Sequence, residues 1–437
     1  MTQKVLQVGI LTADEGAQAI QGIYLPILTA LTNTYQVAAI YNAPKGDTKQ
    51  TMNSTRKPYT NGHYINGHTN GHTNGHTNGH INGHHADGTT IADGHENRIK
   101  NINHASSAEE IIFDPSIQLI LNFMPNEYHE IYTIAALDAG KHVMVETPVS
   151  LSIQSARRII EAEKRAPNGA KVFVACARRY SPCIEEVFRK EVASLDRIYY
   201  ARCRNIAGPS LAHTATAPRK RLWTALNGAA VCGFASEEDR KKDSGPQLMH
   251  GLLQEMFLGQ ELTKERIALC EFLASLGCHD LGLMRDSLGF PDAISNISVN
   301  EPYYSALFHY YSGRKGEHPF TLMYETGTDA VPRCDAHLAI YGDTKTVSIQ
   351  YGLPYARGVP VKVVVETADE NGEMKRTERV SGWQETYEAE LKALHAYLTE
   401  DKMAKTSAGD GLQDLKLFYQ IFEQYDRQCG TIRTPLG

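Results

Sequence analysis

The stretch IQLILNFMPNEYHEIYTIAALDAGKHVMVETP, residues 117–148, decides the fold. Residues 117–123 are an apolar-rich run closed by Pro125, the pattern of a buried strand. Residues 127–139 then follow a helical period that stops at Gly140, and residues 142–145 return to an apolar strand. A helix of this length between two strands joins them as a crossover, which makes the pair parallel. The same alternation continues outward. Upstream, residues 5–11 read as a strand, 17–31 as a helix interrupted by Gly22 and Pro26, and 35–41 as a second strand; downstream, 150–166 read as a helix and 171–175 as a strand. Strands alternating with helices predict an α/β protein with a doubly wound parallel sheet.

After about residue 195 the pattern changes. A strand at 197–205 is followed by a polar, irregular excursion at 207–245 and by helical segments at 247–258 and 264–288. Strands are then expected at 294–299, 306–311, 320–325, 336–341, 346–350 and 361–366, and closing helices at 384–398 and 411–428. Strands grouped after helices predict a C-terminal α+β domain with an open, largely antiparallel sheet. Residues 61–85, NGHYINGHTNGHTNGHTNGHINGHH, repeat a tetrapeptide with almost no aliphatic content and cannot bury a core. They read as a disordered loop whose histidines bind metal only adventitiously, since Asn-Gly turns hold no rigid ligand set. The expected organisation is a first domain at 1–148 with an insertion at about 44–97, then a second domain at 149–437. The last strand and helix of the first sheet fall at about 150–194.

Apolar residues make up 42% of the 437 residues and charged residues 22%, with net charge −6, which excludes a polyelectrolyte and argues against nucleic acid as a partner. The eight cysteines form no C-x-x-C pair, and no metal site is expected. The start MTQKVLQVGIL enters a strand without a secretory signal, no apolar run reaches the roughly 18–20 residues that span a bilayer, and TIRTPLG is not a lipidation box. A cytoplasmic protein away from membranes, acting on a small-molecule partner, is the expectation.

The run Asn122-Phe-Met-Pro-Asn126-Glu-Tyr-His129-Glu, followed by Ala135-Ala-Leu-Asp-Ala-Gly140-Lys-His-Val-Met-Val-Glu146-Thr147-Pro148, resembles the Gfo/Idh/MocA oxidoreductase family, which carries TPN-x-x-H and then A-L-x-x-GKHV-x-x-EKP. Arg178-Arg179-Tyr180 and the segment Leu276–Leu281 extend the likeness, which is strongest to a fungal branch. The resemblance implies an N-terminal Rossmann domain binding NAD(P), a substrate pocket between two domains, and a homodimer or higher homo-oligomer. The sequence departs from the pattern in three places. The first turn, Gly9-Ile10-Leu11-Thr12-Ala13-Asp14-Glu15-Gly16, lacks G-x-G-x-x-G and sets two carboxylates where a pyrophosphate would lie. Thr147 replaces the lysine of EKP, and Ser275 stands where sugar- and inositol-oxidising members place an aspartate, so that of that constellation only His279 remains.

The leading reading is a Gfo/Idh/MocA-like enzyme that requires no cofactor and uses acid–base chemistry for isomerisation, cyclisation, dehydration or rearrangement of a small organic molecule, plausibly a fungal secondary metabolite. Its catalytic residues would be His279, Tyr180 and Glu146, with Thr147, Ser275, Tyr324, Glu325 and Arg333 binding substrate. The alternative is an NAD(P)-dependent oxidoreductase with an atypical phosphate loop, its cofactor held by Gly9, Thr12, Ala13, Pro125, Asn126, His129 and Glu146. A catalytically silent binding protein is the third reading. Asp280 reads as a helix cap and Arg333 and Glu325 equally as surface ion pairs.

Overall fold

The computed structural model describes residues 4–13, 19–43, 102–208, 245–311 and 318–432. The His-rich repeat, the Asp14-Glu15 turn and most of the 207–245 excursion lie outside the described residues.

Six parallel strands form the first sheet: β1 (Leu6–Ala13), β2 (Tyr35–Ala43), β3 (Asn103–His104), β4 (Leu119–Phe123), β5 (His142–Glu146) and β6 (Val172–Ala175), in the order β3-β2-β1-β4-β5-β6. The chain reverses direction of winding between β1 and β4, and at such a switch a crevice opens beyond the carboxyl ends of the strands. Helices α1 (Ile20–Ala30), α2 (Ala108–Ile112), α3 (His129–Asp138) and α4 (Ile153–Arg165) connect and cover the strands. Local chemistry fixes their starts: the Ser107 hydroxyl accepts from Glu110 N, and the Ser152 hydroxyl from Ser155 N. Close packing of α2 depends on Gly9, because a Cβ there would stand 2.3 Å from Ile111 Cγ2.

Eight strands form the second sheet: β7 (Tyr200–Ala207), β8 (Ala293–Asn300), β9 (Tyr303–Tyr310), β10 (Phe320–Thr328), β11 (Cys334–Tyr341), β12 (Lys345–Gln350), β13 (Val361–Ala368) and β14 (Met374–Ser381), in the order β14-β13-β12-β11-β7-β10-β9-β8. All neighbours are antiparallel except β7 and β10. Alternate residues of β7 and β9 are buried, so the sheet has one covered and one open face. Strand β14 was not expected from sequence. Its residues MKRTERVS are exposed except the last, so no alternation marks it, and its charges suit an unpaired sheet edge.

Further helices include α5 (Gly245–Met256), α6 (Lys264–Leu288), α7 (Trp383–Thr399) and α8 (Ala408–Ile432). One continuous core joins Val145 and Val174 of the first sheet to Leu322 and Leu338 of the second and to Leu415 of α8. Helices α1 and α7 cover the other face of the first sheet, with Tyr24, Leu28, Leu391 and Leu394 against Phe123, Met144 and Phe173. Helix α6 is long and apolar enough to cross a membrane, but 89% of that stretch is buried inside the protein. A π-helical turn, Leu273–Gly277, interrupts it just before His279, and another, Ile20–Tyr24, opens α1. Such turns re-aim the side chains that follow them.

Candidate active site

A cleft lies beyond the carboxyl ends of β5 and β6. Residues Ala175–Arg178 form its floor, Tyr24, His279 and Tyr387 its walls, and the loop at 351–361 between β12 and β13 crosses it. Its cavity volume is about 50 Å³. A water takes roughly 30 Å³ of liquid, so the enclosed part of the cleft is small.

On the α6 side, His279 lines the cleft, edge-on to the Tyr355 ring at 6.4 Å. Burial, reinforced by the Arg178 charge, pushes its imidazole down to about 3, so the ring is neutral at any physiological pH. Arg178 is itself fixed on three sides. It donates to Asp280 Oδ1 at 2.8 Å and to Gly352 O at 2.9 Å, and it lies 3.9 Å above the Tyr351 ring. Asp280 also accepts from Asn205 Nδ2 at 2.8 Å. Asp280 is therefore the buried partner of Arg178 rather than a helix cap, and together they tie α6, the strand-β6 turn and the 351–361 loop into one unit.

On the first-sheet side stand two buried carboxyls. Glu390 of α7 accepts from the Tyr24 hydroxyl at 2.8 Å and from Cys176 N at 2.6 Å. Glu146, at the end of β5, interacts with the Tyr355 hydroxyl, while its Oε2 is enclosed with no partner among the described residues. Burial pushes both carboxyls up to about 8, so each holds a proton at neutral pH. Tyr24 and Tyr355 are raised well above the ordinary phenol range for the same reason, and the Tyr355 backbone N–H donates to Tyr387 Oη at 3.1 Å. Tyr24, Tyr355, Tyr387 and Glu390 carried no motif. Only the chain crossing of the 351–361 loop and α7 brings them to Glu146.

The structure gathers some of the sequence-derived candidates here and disperses others. Thr147 is buried beside Glu146. His129 is buried with Nδ1 2.9 Å from Pro148 O and Nε2 2.9 Å from Met124 O; burial pushes the ring down to about 4, so the neutral imidazole donates to one of these carbonyls and packs against the other. Tyr180 turns away from the cleft: its hydroxyl meets Thr406 Oγ1 at 2.8 Å and its ring stacks on Phe173. Ser275 lies in the π-helical turn with Oγ donating to Phe272 O. Tyr324 packs beneath that turn, its hydroxyl 3.4 Å from where a Gly277 Cβ would be. Glu325 pairs with Arg202 at 2.6 Å, and Arg333 with Asp329 at 2.7 Å. Alternation along β10 explains the separation, since Tyr324 points into the core and Glu325 to the open face. No cluster of metal-ligating side chains stands among the described residues.

In a sheet of this order a dinucleotide would lie at the carboxyl edge of the strands. Thr12 Oγ1, at the end of β1, is buried and without a partner among the described residues, at the point where the strand order reverses. A buried orphan hydroxyl is unfavourable unless a ligand satisfies it. Beside it in register lie Asn42 of β2 and Phe123 of β4, followed by the half-buried Pro125 and Asn126. Ala13 is buried at the same edge, whereas Gly9 is occupied in helix packing. These described residues fit a dinucleotide lying across the switch point.

Fold and site together define an α/β protein with a dinucleotide-type sheet and, at its carboxyl edge, a cleft lined by tyrosines, Arg178 and His279. Residues 65–175 match the Gfo/Idh/MocA family model, described as "Oxidoreductase family, NAD-binding Rossmann fold". Inositol 2-dehydrogenase of Paracoccus denitrificans (strain Pd 1222) is 38% identical over 87 residues, which is 20% of this chain and 24% of that protein. The matched stretch thus spans about a quarter of the length of the curated relatives. Levoglucosan dehydrogenase in complex with NADH and levoglucosan aligns with a TM-score of 0.60 and 16% identity over 97% of this chain and 98% of its own. Biliverdin reductase of Synechocystis sp. PCC 6803, in complex with biliverdin and NADP+, aligns with a TM-score of 0.54 and 15% identity over 96% and 98%. Over residues 65–175 the chain is thus similar to the Gfo/Idh/MocA oxidoreductases, and along nearly its whole length it shares the fold of these solved structures. The expectation that no cofactor is required finds no support among these relatives, two of which were solved with a nicotinamide dinucleotide.

Proposed function

We propose that this protein is an NAD(P)-dependent oxidoreductase acting on a small organic molecule in the cleft beyond β5 and β6. The observation that carries the reading is the orphaned Thr12 hydroxyl at the switch point of a β3-β2-β1-β4-β5-β6 sheet, whose carboxyl edge also holds a cleft lined by His279 and by Tyr355, the neighbour of the buried Glu146. Thr12, Asn42, Pro125 and Asn126 would hold the dinucleotide, which when bound supplies or accepts hydride. The chain's own contribution is the proton. Glu146 carries one at neutral pH, in the position next to Thr147 where the family motif has a lysine, and can deliver it to a substrate oxygen. His279, held neutral, can donate one hydrogen bond and accept another and so orient that oxygen. Calorimetric titration of the nucleotide-stripped protein with NAD+, NADH, NADP+ and NADPH tests the reading. Micromolar binding of at least one form is expected, and no binding at millimolar concentration of any form would reject it.

One observation favours a second reading. The protonated Glu146, hydrogen-bonded to Tyr355, is acid–base machinery that needs no hydride, as cofactor-independent isomerisation, cyclisation, dehydration or rearrangement would require. Turnover unchanged by complete removal of nucleotide would favour it.

A further inference from the structure

Tyr355 is held in an unusual way. Its φ of 61° lies in the left-handed region, which a bulky residue adopts only when its surroundings hold it there. Those surroundings lie in and behind the cleft: the hydroxyl interacts with the buried Glu146, the backbone N–H donates to Tyr387 Oη, the ring stacks on Tyr387 at 6.4 Å and 23°, and it meets His279 edge-on. Gly358, also at positive φ, and Gly352 and Pro354 punctuate the loop around it. The loop is anchored to the body through Gly352 O, on Arg178, and through Arg357, which lies 5.8 Å over the Trp383 ring. With Tyr355 in place the cleft retains only about 50 Å³.

The interactions of Tyr355 describe what would replace it. The position offers a flat aromatic face at Tyr387 and a carboxyl that takes a hydrogen bond at Glu146. A planar ring bearing an N–H₂ donor, as a nicotinamide carboxamide does, satisfies both. We propose that Tyr355 is the gate of the ligand cleft: its ring occupies the place of the ligand's planar ring, and the 351–361 loop must swing outward for a nicotinamide dinucleotide to bind. This rests on the reading that the cleft belongs to an NAD(P)-dependent site. Displacement relieves the left-handed backbone and leaves the Glu146 carboxyl open to the incoming molecules.

The test measures NADH and NADPH binding to the full chain by calorimetry, for the natural protein, Tyr355→Gly and Tyr355→Phe. Glycine suits the positive φ and removes the plug; phenylalanine keeps the ring and removes only the bond to Glu146. At least tenfold tighter binding of one nucleotide by Tyr355→Gly is expected, with a smaller gain, about threefold, for Tyr355→Phe. Binding by Tyr355→Gly alone, with none by the natural protein, also supports the gate. Equal or weaker binding by Tyr355→Gly, while the natural protein binds, overturns the gate and leaves the cofactor reading standing. If Tyr355→Gly fails to fold, an unchanged or weaker affinity in Tyr355→Phe overturns the gate. Absence of binding to all three proteins at millimolar nucleotide overturns both.

Discussion

At the scale of single residues, the proton chemistry divides unequally between the two candidates, both of them neighbours of Tyr355. His279 sits where a motif histidine belongs, yet burial beside Arg178 holds it near 3, which makes it a weak base and leaves no proton to give. Glu146, held near 8, stores a proton under the conditions in which the enzyme would work. Replacing Glu146 by Gln should therefore lower nucleotide-linked turnover by about 10²–10⁴-fold and remove a titration near pH 8 from the rate profile. His279→Gln, which keeps hydrogen bonding, should cost less than about tenfold. A pH–rate series on both variants checks this, and the reverse ranking would return the proton to His279.

At the scale of elements, the position of the 351–361 loop depends on a buried ion pair two elements away. Asp280 of α6 is fully buried against Arg178, and Arg178 in turn holds Gly352 O. Removing one partner leaves the other charge buried and uncompensated, which typically costs about 3–5 kcal/mol. Asp280→Ala should lose stability in that range by urea denaturation, whereas Asp280→Asn, which keeps hydrogen-bonding oxygen toward Arg178, should lose less. A second packing constraint lies in the first sheet. Gly9→Ala would place its Cβ 2.3 Å from Ile111 Cγ2, and over-packing of this kind costs about 1–3 kcal/mol. Pairing it with Ile111→Ala, which removes Cγ2, should lower the melting temperature by less than the sum of the two single losses.

For the whole molecule, buried titrations of opposite sign set the pH range of stability. Glu146 and Glu390 have folded values near 8, above the ordinary carboxyl value, so the folded state holds protons that the unfolded state releases. Their stabilising contribution is complete below about pH 4.3 and is lost as pH rises toward 8. His129, His142 and His279 have folded values near 4, 4 and 3, so the unfolded state binds the extra protons and stability falls as pH drops below about 6.5. Between these limits the two sets oppose each other. From about pH 6.5 to 8 only the carboxyls act, and the urea midpoint should decline through that window. Glu390→Gln should flatten the decline; a decline of unchanged steepness would show that the carboxyls are not its source.

The alternation of apolar strands and helices at 117–148 determined the parallel sheet, because a crossover helix leaves no other pairing, and the Asn122–Pro148 motifs marked its carboxyl edge as the place of the site. His279 and Glu146 were legible for the same reason, each standing inside a recognisable run. Side-chain direction was not. The pleat of β10 sends Tyr324 inward and Glu325 outward, and the short turn Ala177–Tyr180 carries Tyr180 to Thr406, although both looked like pocket residues in one dimension. Strand β14 escaped notice because an exposed edge needs charge rather than alternation. The composition of the cleft was the decision of the tertiary structure alone. Tyr24, Tyr355, Tyr387 and Glu390 come from elements separated by up to 366 positions, and burial of the carboxyls by that convergence, which no local sequence encodes, is what places protons at the site.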